Sequence, residues 1–284
     1  MNGESLETRA DDVPAPRVGG WLRISAAYGA PTALATLLLA TWELVVWGFA
    51  VPRWLLPAPS QIVQAAWESR DLLWLHSRQT LLEAWLGLGL ALVVGVVFAG
   101  LIDLSPLLRR TLYPLLVTSQ TVPVLAIAPL FIIWFGFGLL PKILIVALVC
   151  FFPVAVNTAD GLRSVDPDLM SLLRSMGASR GQILAKVRLP AALPLFFSGL
   201  RIAITYSIIG AVIGEWVGAS EGLGIFMLRS QRSFLTDRVF AAILVTSALS
   251  IAMFLAASAL ERVVLPWYHT ATRSAQWEEL PRGS

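Results

Sequence analysis

Apolar residues in this chain gather into long blocks instead of alternating. A helix needs about 20 mostly apolar residues to cross a bilayer. Six stretches meet that length: 28–49, 80–102, 112–135, 139–156, 193–217 and 239–264. Little more than Gly136, Phe137 and Gly138 separates the third from the fourth, which predicts a tight hairpin. The pattern therefore predicts an all-α membrane protein with six transmembrane helices. Residues 28–264 form the membrane domain, between a tail over 1–27 and another over 265–284.

Between the fourth and fifth blocks lies a polar, basic island, 166–190. Leu169, Leu172, Leu173 and Met176 recur at three- and four-residue steps, giving a short helix with one apolar face. Asp166 is its expected N-cap, Pro167 its first residue and Gly177 its left-handed terminator. A second helix over 179–187 is expected to be basic on its surface through Arg180, Lys186 and Arg188, and to break at Leu189-Pro190.

Two smaller patterns refine the picture. After the first block, Leu56-Pro57-Ala58-Pro59-Ser60 predicts a turn and then an interfacial helix capped by Ser60. Its face would carry Ile62, Val63, Ala66 and Trp67, with Trp67 and Trp74 at headgroup depth. In the second block, Gly87, Ala91, Gly95 and Ala99 fall four apart. They form a flat ridge that suits close helix packing within the bundle or between copies.

Composition agrees with a bilayer. The chain has 284 residues, 57% of them hydrophobic and 14% charged, against about 25% charged in soluble domains. With the N-terminus in the cytoplasm, inside segments carry 13 Lys and Arg and outside segments 7. The excess of basic residues inside fits that orientation and puts both tails and the island in the cytoplasm. The N-terminal tail, with Glu4, Glu7, Asp11 and Asp12, lacks the pattern of a signal peptide. Residues 280–284 resemble the remnant of a protease-cleavable tag. Cys150, the lone cysteine, reads as a packing residue. No basic tract with interleaved aromatics points to nucleic acid.

Ionisable residues inside spans are costly and worth individual attention. Glu43 either pairs within the bundle or lines a cavity. Glu83 is expected to reach water. Arg201 is expected to snorkel or pair in preference to binding solute. Glu215, flanked by Gly214 and Gly218, is either a helix end in water or an outer gate or contact. The third span carries Thr118, Ser119, Gln120 and Thr121 before Pro123 and Pro129. Freed backbone groups there must face protein or a watery path. Gln120, Thr121 and Pro123, with Tyr206 and Ser207, are therefore candidates to line a pathway; an ordinary kinked packing helix is the alternative. His76 and His269 read as isolated loop residues, so no metal site is expected. No serine–histidine pair suggests a nucleophile.

The spacing Gly177, nine residues, Val187, one residue, Leu189-Pro190 resembles the ATPase-engaging loop of permease subunits in type I ABC importers. That loop is written E-A-A-x3-G-x9-I-x-L-P. The likeness covers most of 55–265. It extends to Leu56-Pro57-Ala58-Pro59-Ser60, to 129–138, and to Gly214-Glu215-Trp216 through Gly222-Leu223-Gly224. The branch resembled handles sulfonates, taurine, nitrate and thiamine-pyrimidine or riboflavin precursors, with 214–224 most like the vitamin-precursor permeases. The first three loop positions depart from the pattern, reading Ser171-Leu172-Leu173.

The resemblance implies that Asp168, Leu169, Leu172, Leu173, Met176, Gly177, Ala178 and Arg180 belong to a coupling helix seated in an ATPase. It also implies two permease copies, two ATPase copies and a periplasmic or lipid-anchored binding protein in a bacterial inner membrane. No cofactor is expected on this chain. Lys142 and Lys186 lie in no Gly-Lys-Ser/Thr motif, so ATP would be held by the partner. Other classes fit less well. An intramembrane enzyme needs paired catalytic groups. A secondary carrier predicts internal repeats and several buried carboxylates. An energy-coupling subunit with a separate membrane capture protein would show two Ala-Arg-Gly motifs, where this chain has one Ser179-Arg180-Gly181.

Overall fold

Three long helices, α3 (Arg70–Leu104), α6 (Leu139–Gly161) and α9 (Leu189–Gly218), pack side by side with α6 in the middle. The computed structural model describes residues 20–268, and those residues contain no strand. Among the described residues, five helices are long and apolar enough to cross a membrane, or six if one bent pair counts as a span. The predicted all-α membrane fold is what the chain adopts.

Small residues set the central packing. The ridge predicted on α3 faces α6: a Cβ on Gly95 would lie 2.8 Å from Val154 Cγ1, and Gly87 abuts Val146. A second stripe, on α9, runs Gly199, Ala203, Ser207, Gly210 and Gly214. A Cβ on Gly199 would lie 2.5 Å from the Pro153 carbonyl oxygen of α6. Close backbone approach maximises van der Waals contact where lipid offers no hydrophobic drive. Cys150 is buried in this seam, with its Sγ 3.1 Å from the Ala203 carbonyl.

Around this core stand α1 (Gly20–Gly48), α2 (Pro59–Glu68), α4 (Pro106–Ser119), α5 (Val124–Phe135), α10 (Leu223–Arg232) and α11 (Thr236–Val264). The helix of the first span begins at Gly20, inside the predicted tail. At 1.5 Å per residue, α3 is about 50 Å long against a hydrocarbon core of about 30 Å, so it extends beyond the predicted 80–102. Residues 1–19 and 269–284, including His269 and most of both tails, lie outside the described residues.

The third span is the main departure. A single proline-kinked helix over 112–135 is expected, but α4 and α5 meet at 99°. Pro123 has no N–H, and its ring drives Val122 out of helical geometry. Thr118 and Thr121 hydroxyls bond to the Pro114 and Thr118 carbonyls, each at 2.8 Å, and so satisfy groups near the break. Pro129 stays within α5.

The short helix predicted after the first span is present as α2, with two corrections. Ser60 is not its cap; the Gln61 side chain accepts from the Ala58 N–H at 3.2 Å instead. Its apolar side also divides. Ile62 and Ala65 pack inward, while Val63 and Trp67 point out, Trp67 beneath the Arg70 guanidinium at 4.8 Å.

Candidate functional site

The island forms a rod and a joint. Asp166 caps α7 (Pro167–Ser175) by accepting the Asp168 N–H at 2.8 Å. Gly177, at φ +83°, turns the chain after it, in the conformation predicted for a glycine cap. Leu169, Leu172 and Met176 are exposed, Met176 by 75%, and Leu173 is half-buried. Ala178 is half-buried, while Asp168 and Arg180 are exposed. The rod thus presents apolar side chains that its own chain leaves uncovered. Where the family pattern has its glutamate, the Ser171 hydroxyl turns back to the Pro167 carbonyl at 3.0 Å.

After Gly177 the chain does not break at Leu189-Pro190 as expected. Ser179 and Gln182 cap the short helix α8 (Arg180–Ile183) reciprocally, and a π turn over Leu184–Arg188 runs directly into α9. The wider turn absorbs the proline ring and its missing N–H without ending the helix. Arg188 is not a surface charge. Its guanidinium pairs with both carboxylate oxygens of Asp103 near the end of α3, one at 2.8 Å. Its Nε donates to the Leu162 carbonyl, at the end of α6, at 2.8 Å.

At the opposite end of the bundle a buried polar cluster joins α3, α6, α9 and the turn before α10. Glu83 is fully buried and does not reach water; its Oε1 accepts from Lys142 Nζ and Gln79 Nε2, each at 2.7 Å. Glu215 is also fully buried, which excludes both an exposed helix end and a surface contact. Its carboxyl takes the Thr80 hydroxyl at 2.6 Å and the Gly224 N–H. Thr80 accepts the Leu223 N–H at 2.9 Å. His76 is no loop residue: buried in α3, it accepts the Gly222 N–H on Nδ1 at 2.9 Å. The Gly214-to-Gly224 motif is thereby explained. Residues 219–222 fold back so that successive backbone N–H groups reach Glu215, Thr80 and His76. Gly222, at φ +125°, sits where any Cβ would overlap the Glu215 carboxyl.

The other two charges singled out inside spans, Glu43 and Arg201, find partners within the chain. Glu43 accepts from Ser60 Oγ at 2.6 Å, the Ser60 N–H at 3.1 Å and Trp47 Nε1 at 2.7 Å, which ties α1 to the start of α2. Arg201 pairs with Glu261 of α11 at 2.6 Å, the pairing its position suggests.

Two cavities of about 320 and 290 Å³ adjoin the open side of α9. Leu125, Ile208, Ile209, Val212, Ile213, Trp216, Met227 and Thr246 line one; Thr205, Ser247, Ser250 and Ile251 join shared residues in the other. Gln120, Thr121 and Pro123 lie exposed at the α4–α5 elbow. Tyr206 is 43% exposed and lines neither cavity. Ser207 is fully buried, its hydroxyl held by the Ile204 carbonyl at 2.8 Å, so it faces the α6 seam and no open path. A three- and four-residue step from Thr205 through Ile209 to Ile213 and Trp216 carried the signal for this face; the hydroxyls drew attention elsewhere.

The family model described as "Binding-protein-dependent transport system inner membrane component" matches residues 91–265, from mid-α3 past the end of α11. The chain belongs to this family of importer permeases. It is 41% identical to the formylaminopyrimidine transport permease ThiX of Halalkalibacterium halodurans over 238 residues, 84% of this chain and 95% of that protein. It is 35% identical to the riboflavin transport permease RibX of Chloroflexus aurantiacus, covering 89% and 95%, and 35% identical to the taurine transport permease TauC of Escherichia coli, covering 83% and 88%. A chain of the inward-facing MetNI methionine ABC transporter shares the fold, with a TM-score of 0.52 and 22% identity over 74% of this chain and 98% of that one. As an ABC importer permease, the chain supplies membrane-crossing helices to a transporter, and the α7 loop and the α9 cavities fall within the family-matched region.

Proposed function

We propose that this permease acts as two facing copies in a bacterial inner membrane, each seated through α7 on a separate ATPase. The solute is a neutral aromatic vitamin precursor of the aminopyrimidine or flavin class, brought by a binding protein. The observation that carries the coupling role is the uncovered apolar face of α7, fixed by the Asp166 cap and the Gly177 turn. Such a rod suits a groove on a second protein. The absence of a Gly-Lys-Ser/Thr motif supports ATP hydrolysis elsewhere.

Orientation follows the charge balance. With the buried Lys142 and the Asp103-paired Arg188 both left out, 12 basic residues on the α7 side stand against 6 on the other. This favours α7 and both termini in the cytoplasm.

The solute class rests on two supports. Identity to the formylaminopyrimidine permease, 41%, exceeds that to the taurine permease, 35%, and to a nitrate permease of Leptolyngbya laminosa, 28%, while the riboflavin permease stands level with the taurine one at 35%. The lining residues of the α9 cavities include Trp216 and several hydroxyls and no charged residue. A sulfonate or nitrate moving through an apolar lining would lack a compensating cation, whereas a flat heterocycle can stack and hydrogen-bond there.

The test is reconstitution of the permease with its ATPase and binding protein in proteoliposomes, followed by uptake of labelled formylaminopyrimidine, riboflavin and taurine. ATP-dependent accumulation of a heterocycle is expected. Accumulation of taurine alone, or uptake indifferent to ATP, would overturn the reading.

A further inference from the structure

The α7 rod barely touches the helix bundle. Cavities of about 380 and 540 Å³ separate it from the end of α3, and Asp103, Met170, Arg174 and Arg188 line both. Force applied to α7 must therefore travel through its two connections. One foot leaves α6 at Leu162; the other enters α9 through the π turn that ends at Arg188. Arg188 holds both feet together, because its own backbone belongs to one and its Nε bonds the Leu162 carbonyl of the other, 26 residues earlier. The same guanidinium grips Asp103 in two-point fashion. Side-chain exposures of 21% and 12% keep this pair mostly out of water.

A planar guanidinium fixed at three acceptors resists rotation as well as separation, which a lysine ammonium cannot do. The π turn that ends at Arg188 joins α8 to α9. By fixing the end of that turn to α6 and α3, Arg188 sets where a push from α7 enters the bundle.

We propose that Arg188 is a positioning residue for energy coupling. Its guanidinium ties both feet of the α7 loop to the end of α3, so that movement of α7 reaches α3, α6 and α9 as one unit. The proposal rests on α7 being the ATPase-docking element.

The experiment uses the complete transporter in proteoliposomes and compares Arg188→Lys, Asp103→Asn and the double substitution with the unaltered protein. Arg163→Lys, beside the same cavity, serves as control. Three quantities are read: ATPase retained on purification, ATP hydrolysed, and solute accumulated per ATP. Arg188→Lys is expected to keep the ATPase and most hydrolysis while solute per ATP falls at least ten-fold. The double substitution should lose little more than Arg188→Lys alone, and Arg163→Lys should match the unaltered protein. Spin labels on Ser175→Cys and Leu104→Cys add a second readout. The α3 label should shift on trapping with ATP and vanadate in the unaltered background and stay still with Arg188→Lys. Unchanged solute per ATP, or an α3 label that still follows α7, would overturn the proposal. If Arg188→Lys does not assemble, Asp103→Asn carries both readouts with the same criteria. Failure of the unaltered permease to retain any ATPase would instead overturn the docking role of α7.

Discussion

Lys142 Nζ and Glu83 Oε1 meet at 2.7 Å across the α6–α3 seam, with both side chains buried and Glu83 fully so. Lys142 opens the fourth apolar block and looks like a loop charge in the sequence. In the fold it points inward, and the other Glu83 oxygen, Oε2, has no hydrogen-bond partner. Glu215 lies alongside, so two carboxyls share a single ammonium.

Removing Lys142 leaves a buried carboxyl without its cation, a change that typically costs about 3–5 kcal/mol. Lys142→Met should therefore markedly lower the thermal unfolding midpoint in detergent. Lys142→Met combined with Glu83→Gln, which removes the orphaned charge, should recover at least half of the loss. A double variant no better than the single one would mean that the pair does not interact as described.

Gly222 and Gly136 both have positive φ, +125° and +76°, but in different surroundings. Nothing lies within 4 Å of a Cβ added at Gly136, so Gly136→Ala should cost only the backbone strain of φ +76°, ψ −174°, about 1–3 kcal/mol. A Cβ on Gly222 would strike the Glu215 carboxyl and break its bonds to Thr80 and the Gly224 N–H. Gly222→Ala should cost at least twice as much in the same unfolding assay. Equal effects would show that the 219–222 turn is not held against Glu215.

The sequence made some of this legible for physical reasons that can be named. Apolar blocks report spans directly, because lipid demands them. The Asp166-Pro167 start and Gly177 stop report α7, because caps are local. Small residues four apart on α3 report its packing face, and the stripe from Gly199 to Gly214 on α9, at three- and four-residue steps, reports a second by the same logic. The buried cluster was not readable. His76, Thr80 and Lys142 lie far apart from Glu215 in sequence, and nothing local marks a polar residue that will find a partner 59 or more positions away. Sequence pattern puts Arg188 on the surface, because amphipathic spacing cannot show a side chain drawn inward by a distant carboxylate. The sharp α4–α5 elbow is legible only as a kink, since two prolines announce a disturbance without fixing its angle.

The α9 stripe makes its own prediction. A Cβ on Gly199 would lie 2.5 Å from a carbonyl oxygen and 2.8 Å from Asn157 Cβ, so the two backbones must separate. Overpacking of this kind costs about 1–3 kcal/mol. Gly89 and Gly100 on α3 have nothing within 4 Å, and alanine there gains up to about 1 kcal/mol of helix propensity. Gly199→Ala should unfold earlier than the unaltered protein, and Gly89→Ala and Gly100→Ala no earlier. The opposite order would contradict α6–α9 contact at Gly199.

Orientation can be tested at Ser175, which is exposed at the end of α7. Cys150, the single native cysteine, is buried, so a Ser175→Cys variant offers one accessible thiol. An impermeant maleimide should label it in inside-out vesicles and leave it unmodified in spheroplasts. Labelling in spheroplasts would invert the topology and remove α7 from any cytoplasmic ATPase.

Leu172 and Met176 separate docking from folding. Both are exposed on α7 and contribute little to the packing of their own chain, so replacing them together by Glu should leave the unfolding midpoint close to that of the unaltered protein. The same change puts two carboxylates into the face proposed to sit in the ATPase groove, and buried unpaired charge opposes association by several kcal/mol. Copurification of the ATPase should fall more than ten-fold. Gly177→Val acts differently, because a β-branched residue resists φ +83° and must swing the rod away from its angle. That variant should insert normally and hydrolyse ATP with its partner, yet accumulate little solute. If the double Glu variant retained its ATPase in full, α7 would not be the docking surface, whatever the behaviour of Gly177→Val.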